Sequence, residues 1–107
     1  MEYIAVYTTL PDRDSARKLA KALVTERLTA CANFFPVESI YRWEGKIEEE
    51  REYALILKTR EELYPEVEKR IKELHPYKLP AIISYKIERG LGEYLTWIKE
   101  ITSSHLS

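Results

Sequence analysis

The chain has 107 residues, 45% hydrophobic and 33% charged, with 17 Lys and Arg against 18 Asp and Glu and a formal net charge of −1. That length holds one domain, residues 1–107, with a real core and a large surface-to-volume ratio that rewards oligomerisation; the charge balance excludes the global positive field needed for nucleic acid or an anionic membrane. The single cysteine, Cys31, excludes an internal disulfide and a Cys-only zinc site within one chain.

Tyr3 to Thr8 alternates Ile4, Val6 and Thr8 with Tyr3, Ala5 and Tyr7, the period of a strand with two largely apolar faces. The chain enters this strand without the basic stretch and apolar core of a signal peptide, and no apolar run nears the roughly 18 residues of a membrane span. It therefore reads as a soluble, cytoplasmic protein. Pro11-Asp12 breaks the strand, and Ala16, Leu19, Ala20, Leu23 and Val24 recur at helical spacing to about Arg27.

Ala30 to Trp43 reads as a long second strand, Glu44-Gly45 as its turn, and Lys46 to Lys58 as the returning strand. At about 3.3 Å per residue the run into the turn covers roughly 46 Å, beyond what so small a domain covers by itself. Either it breaks at Pro36, which cannot donate a ladder hydrogen bond, or an aromatic-tipped arm overhangs its own sheet and is clothed by neighbouring subunits; both are expected. Glu-Gly leaves the turn type open, and a two-residue loop sets Glu38 opposite Arg51.

Leu63, Val67, Ile71 and Leu74 mark a second helix, stopped at His75-Pro76 because the residue before proline avoids the α region. Ala81 to Ile87 makes a fourth strand. Tyr94, Leu95, Ile98 and Ile101 line a short third helix, with a frayed tail from Thr102. The order is α+β, βαββαβ with an added helix, which predicts a four-stranded antiparallel sheet with the two main helices on one face. The other face, carrying Tyr3, Ala5 and Tyr7, would expose an apolar patch and is the predicted subunit interface. Asn33 is the only asparagine and glutamine is absent, a composition expected of a thermostable protein.

The segments Tyr7-Thr8-Thr9-Leu10-Pro11-Asp12, Leu28-Thr29-Ala30-Cys31-Ala32-Asn33, Tyr41-Arg42-Trp43-Glu44-Gly45-Lys46-Ile47, Leu57-Lys58-Thr59, Leu74-His75-Pro76-Tyr77-Lys78-Leu79-Pro80-Ala81-Ile82-Ile83 and Tyr94-Leu95-Thr96-Trp97 closely resemble the CutA family of divalent-cation tolerance proteins. The resemblance implies a ferredoxin-like subunit with a long hairpin arm, in a tight homotrimer of PII-like architecture, linked to copper and other divalent cations. It also implies copper ligands at a cysteine near the end of strand one and at a histidine pair before the Pro-Tyr step. This chain carries Thr8 at the first position and Leu74-His75 at the second, so only His75 is retained.

One imidazole is a poor Cu(II) site unless trimer copies or carboxylates add donors; the competing expectation is a helix-terminal histidine bonded to the last carbonyls. Cys31 offers a thiolate for Cu(I), against the reading of a small, buried, structural residue. Glu44, Glu48, Glu49, Glu50 and Glu52 are split across two faces by strand alternation, so at most three converge, and the run reads as a solvated, edge-protecting surface.

Tyr41, Trp43, Lys58, His75 and Tyr77 form a candidate ligand cleft, because the family fold implies that hairpin tip, sheet end and helix-two loop meet between subunits. Such a cleft suits a small anionic metabolite; alternatively Tyr41 and Trp43 simply anchor the arm on a neighbour. No Gly-rich phosphate loop, paired-histidine zinc motif or nucleophile beside a base is present in the sequence. The reading is thus a non-enzymatic, cytoplasmic homotrimer for divalent-metal response, with no obligatory cofactor and Cu(II) or a similar ion as the bound species. The alternative is a PII-like signalling protein with a metabolite in its intersubunit clefts. Neither names a protein partner.

Overall fold

The computed structural model describes residues 1–103. β1 (Tyr3–Leu10) leads into α1 (Arg13–Thr25), followed by β2 (Cys31–Trp43) and β3 (Lys46–Arg60). A 3-10 turn at Glu61–Leu63 opens into α2 (Tyr64–Leu74), then β4 (Ile82–Ile87) and α3 (Gly92–Thr102) complete the chain. The strands form one antiparallel sheet in the order β2-β3-β1-β4, the topology expected of a ferredoxin-like subunit.

Strand period places Ile4, Val6, Leu10, Leu55 and Leu57 on one face, where they pack with Leu19, Leu23, Val67 and Ile71 from α1 and α2. Leu74 departs from the expected stripe. It is exposed at the end of α2, bordering a groove of about 300 Å³ with Leu19 and Pro76. Asp12 caps α1 by accepting a 2.8 Å hydrogen bond from the Ser15 amide. At the other end Arg27 takes a φ of 60°, and the Leu28 and Arg27 amides reach back to the Leu23 and Val24 carbonyls. The two bonds make a Schellman cap with arginine where glycine is usual. The helix therefore ends at Thr25, before the expected Arg27.

The hairpin runs unbroken from Cys31 opposite Lys58 to Trp43 opposite Lys46, including Glu38 opposite Arg51. The expected break at Pro36 does not occur: Pro36 pairs with Tyr53 in continuous register. β2 is an edge strand, where proline can be accommodated. The molecule measures 44 × 28 × 21 Å, its long axis stretched by a 13-residue and a 15-residue strand.

The second sheet face is built of rows. Tyr85, Ala5, Lys58 and Cys31 make one, Ile83, Tyr7, Ile56 and Asn33 the next, and Thr9, Ala54 and Phe35 a third. α3 packs across the end of this face, where Lys58 and Arg60 alternate with the inward Leu57 and Thr59. Thr102 is fully buried and hydrogen-bonded to Arg60, so the expected fraying does not begin there; the rest of that expectation, residues 104–107, lies outside the described residues. Ile83 and Tyr85 remain exposed.

Candidate functional site

The loop after α2 carries the most unusual chemistry. Proline at position 76 forces His75 out of the helix, and its backbone is extended, with ψ of 135°. The His75 ring turns back to the sheet: Nε2 lies 2.8 Å from the Thr9 carbonyl, while Nδ1 accepts the Tyr77 backbone N–H at 3.1 Å. An Nδ1 that accepts is unprotonated, so Nε2 carries the hydrogen and donates it to Thr9. Burial holds this imidazole below the ordinary histidine value, against opposing pulls from the Thr9 carbonyl and Glu52. His75 is only 8% exposed. His75 does stand at the end of α2, its backbone N–H bonded to the Ile71 carbonyl, but its ring bonds the Thr9 carbonyl of β1 instead of the last carbonyls of the helix.

Tyr77 follows in the same loop, its ring 4.9 Å from that of His75. Its hydroxyl donates to Glu52 Oε2 at 2.7 Å. Burial, then the bond and charge of Glu52, push the phenol far above its usual range, with Glu50 and Tyr41 adding to the negative field. Glu52 itself is 7% exposed. Tyr7, raised by burial and then by Glu52 and Tyr85, shares this environment.

The acidic run divides as strand alternation requires. Glu48, Glu50 and Glu52 fall on one face of the arm with Tyr41, which pairs with Glu48, while Glu49 falls on the other. Sequence reasoning treated Glu52 as one of five surface carboxylates and missed its enclosure. The available signal was its position at the base of the arm, on the face toward the Pro-Tyr loop.

The five cleft candidates do not meet within one chain. His75 and Tyr77 touch, and Tyr41 lies beyond them on the arm. Lys58 sits at the opposite end of β3 from the turn, about 40 Å from Trp43 at strand rise. There its ammonium lies 3.4 Å from the Tyr94 hydroxyl and 5.6 Å from that ring's centroid, and Tyr94 stacks on Trp97 at 5.5 Å. Tyr94 and Trp97 are additional aromatics of this end that sequence reasoning placed in a helix without assigning to the cleft.

Cys31 is half-buried, contrary to the expectation of a buried structural thiol. It opens an edge strand, with β3 on one flank only, and borders a groove of about 390 Å³ between β2 and α1 with Arg17, Lys21 and Phe34. Thr8, at the position where the family resemblance implies a cysteine, is fully buried in the helix-facing layer. Among the described residues no group of three His, Cys, Asp or Glu side chains is arranged to hold a metal ion.

The sequence profile of the family described as CutA1 divalent ion tolerance protein matches residues 4–101. The chain belongs to that family. It is 54% identical over 99 residues to the divalent-cation tolerance protein CutA of Pyrococcus horikoshii, covering 92% of this chain and 97% of that one. Among solved structures, the periplasmic divalent cation tolerance protein CutA from Archaeoglobus fulgidus superposes with a TM-score of 0.92 at 44% identity, covering 94% of this chain and 98% of the other. CutA1 from the psychrotrophic Shewanella sp. SIB1, described as a stable protein, gives 0.92 at 38% identity over 96% and 97%. The CutA1 subunit fold is therefore this chain's fold, including the long arm.

Proposed function

We propose that this CutA1-family chain serves divalent-cation tolerance as a non-enzymatic homotrimer. The observation that carries the assembly is the second sheet face, where Ile83, Tyr85 and Phe35 stay exposed beside Tyr7 and Ala5. An apolar patch of this kind on a small domain calls for a neighbour, and both edge strands, β2 and β4, remain free to pair. The metal link rests on what the relatives are named for. No helix among the described residues is long and apolar enough to cross a membrane; the proposed compartment is the cytoplasm, although the Archaeoglobus protein is named periplasmic.

Native mass spectrometry of chelator-stripped protein, alone and with Cu(II), Zn(II) and Mg(II), tests this reading. A trimer that takes up Cu(II) or Zn(II) in fixed number supports it; monomeric protein, or a trimer without defined uptake, counts against it. Ile83→Glu places a charge in the proposed interface and is expected to yield monomers.

A second reading, a PII-like sensor of a small anionic metabolite, is favoured by one observation: Lys58 presents an ammonium beside Tyr94 on the oligomer-facing side of the sheet. Saturable metabolite binding abolished by Lys58→Ala, without metal dependence, would select it.

A further inference from the structure

We propose that His75 is a positioning residue rather than a metal donor: its imidazole ties the loop after α2 to the end of β1, seats Tyr77 on Glu52, and leaves the family-implied copper set unassembled in this chain.

Both ring nitrogens are already used. Nδ1 takes the Tyr77 amide hydrogen at 3.1 Å and Nε2 gives its own to Thr9 at 2.8 Å. A metal bound through Nδ1 would displace the Tyr77 N–H, leaving a backbone donor without its acceptor. A metal bound through Nε2 would need that nitrogen's lone pair and would strip the Thr9 carbonyl of its donor. Either route breaks a hydrogen bond in a confined site where an unpaired polar group is costly.

The neighbouring positions add no donors. Thr8 places a hydroxyl in the helix-facing core where the resemblance implies a thiolate, and its oxygen is fully buried. Leu74 replaces the other imidazole and stands exposed against Pro76. A soft sulfur and two nitrogens are thereby reduced to one committed imidazole, a set that does not fit copper.

The positive role follows from chain order. His75 fixes the Tyr77 amide at 3.1 Å, and the phenol of that same residue donates to Glu52 on β3 at 2.7 Å. With the amide fixed, the aromatic ring is held over β3; with it released, the Pro76–Pro80 segment loses its tether to β1.

The test uses the full chain labelled with 15N-histidine, stripped with chelator, in long-range proton–nitrogen correlation spectra. His75 is expected to show the Nε2–H tautomer and to keep its nitrogen shifts when one equivalent of Zn(II) per chain is added; His105 supplies the second resonance. An Nδ1–H pattern, or a His75 nitrogen that moves as Zn(II) coordinates it, overturns the proposal. Native mass spectra of His75→Asn provide the second arm, since the Asn carbonyl oxygen can accept the Tyr77 amide as Nδ1 does. Unchanged Cu(II) stoichiometry, with Tyr77 still titrating above the ordinary phenol range in ultraviolet difference spectra, supports it. Loss of Cu(II) uptake from folded His75→Asn overturns it, and the wild-type spectra decide the matter if that variant fails to fold.

Discussion

Arg60 Nε donates to the Thr102 hydroxyl at 2.9 Å and Nη2 to the Thr102 carbonyl at 3.2 Å, so the last residue of β3 grips the last residue of α3. Both groups are buried, and Glu62 balances the guanidinium at 3.0 Å. Charge-assisted bonds in such a setting contribute about 1.5–3 kcal/mol. Arg60→Ala is therefore expected to lower unfolding free energy by about 2 kcal/mol, and hydrogen exchange should show α3 losing protection first. Uniform loss across the sheet would point to a different role for Arg60.

Thr8 and Thr29 bury hydroxyl oxygens without a hydrogen-bond partner in the described structure. Removing an unsatisfied buried hydroxyl while keeping side-chain shape recovers its desolvation cost, on the order of 1–3 kcal/mol. Thr8→Val should raise the chemical denaturation midpoint. A lower midpoint would reveal a bond that the hydroxyl makes in solution.

At the arm's tip, Glu44 has a φ of 49° and Gly45 of 79°, the two positive values of a type I′ turn. Asparagine tolerates the first position better than glutamate. Glu44→Asn is expected to stabilise the protein by about 0.5–1 kcal/mol, and Gly45→Ala to destabilise it by a comparable amount, both read from thermal midpoints.

Acid should weaken the fold through His75. Its folded value lies below the ordinary 6.5, because burial disfavours the imidazolium. Above that ordinary value the ring is neutral folded or unfolded, and its contribution is fully present. As the pH falls below it, the unfolded chain takes up a proton that the folded chain resists, so stability declines until the folded value is passed. Denaturation midpoints between about pH 7 and about pH 5 should fall more steeply for wild type than for His75→Asn.

Much of the fold was legible because its signals are local. Alternation in Tyr3–Thr8 identified both faces of β1, and the Glu38–Arg51 pairing followed from a two-residue turn. Pro36 was misread because a strand's place in the sheet, edge or centre, is settled by its distant neighbours. Arg27 ended α1 early by adopting a conformation that composition assigns to glycine. The apolar stripe of α3 showed that it packs, without showing that it crosses the face opposite α1 and α2. The site was less legible: nothing in Leu74-His75-Pro76-Tyr77 discloses that the imidazole meets Thr9, a contact spanning 66 positions.

The unbroken ladder from Trp43–Lys46 to Cys31–Lys58 also orders events in time. Each pair closes a loop already shortened by the pair before it, so the hairpin can zip from its turn with little entropy lost per step, on the microsecond scale of hairpins. The β1–β4 seam joins the first strand to the last and must await a far longer closure. The segment that reaches farthest from the core is thus the one a newly made chain can complete earliest. It then carries the exposed side chains of Ile40, Trp43 and Ile47 into solution. Glu44 at the turn and Glu48 and Glu49 beside them on β3 are charges of the kind that keep such early hairpins from adhering to one another.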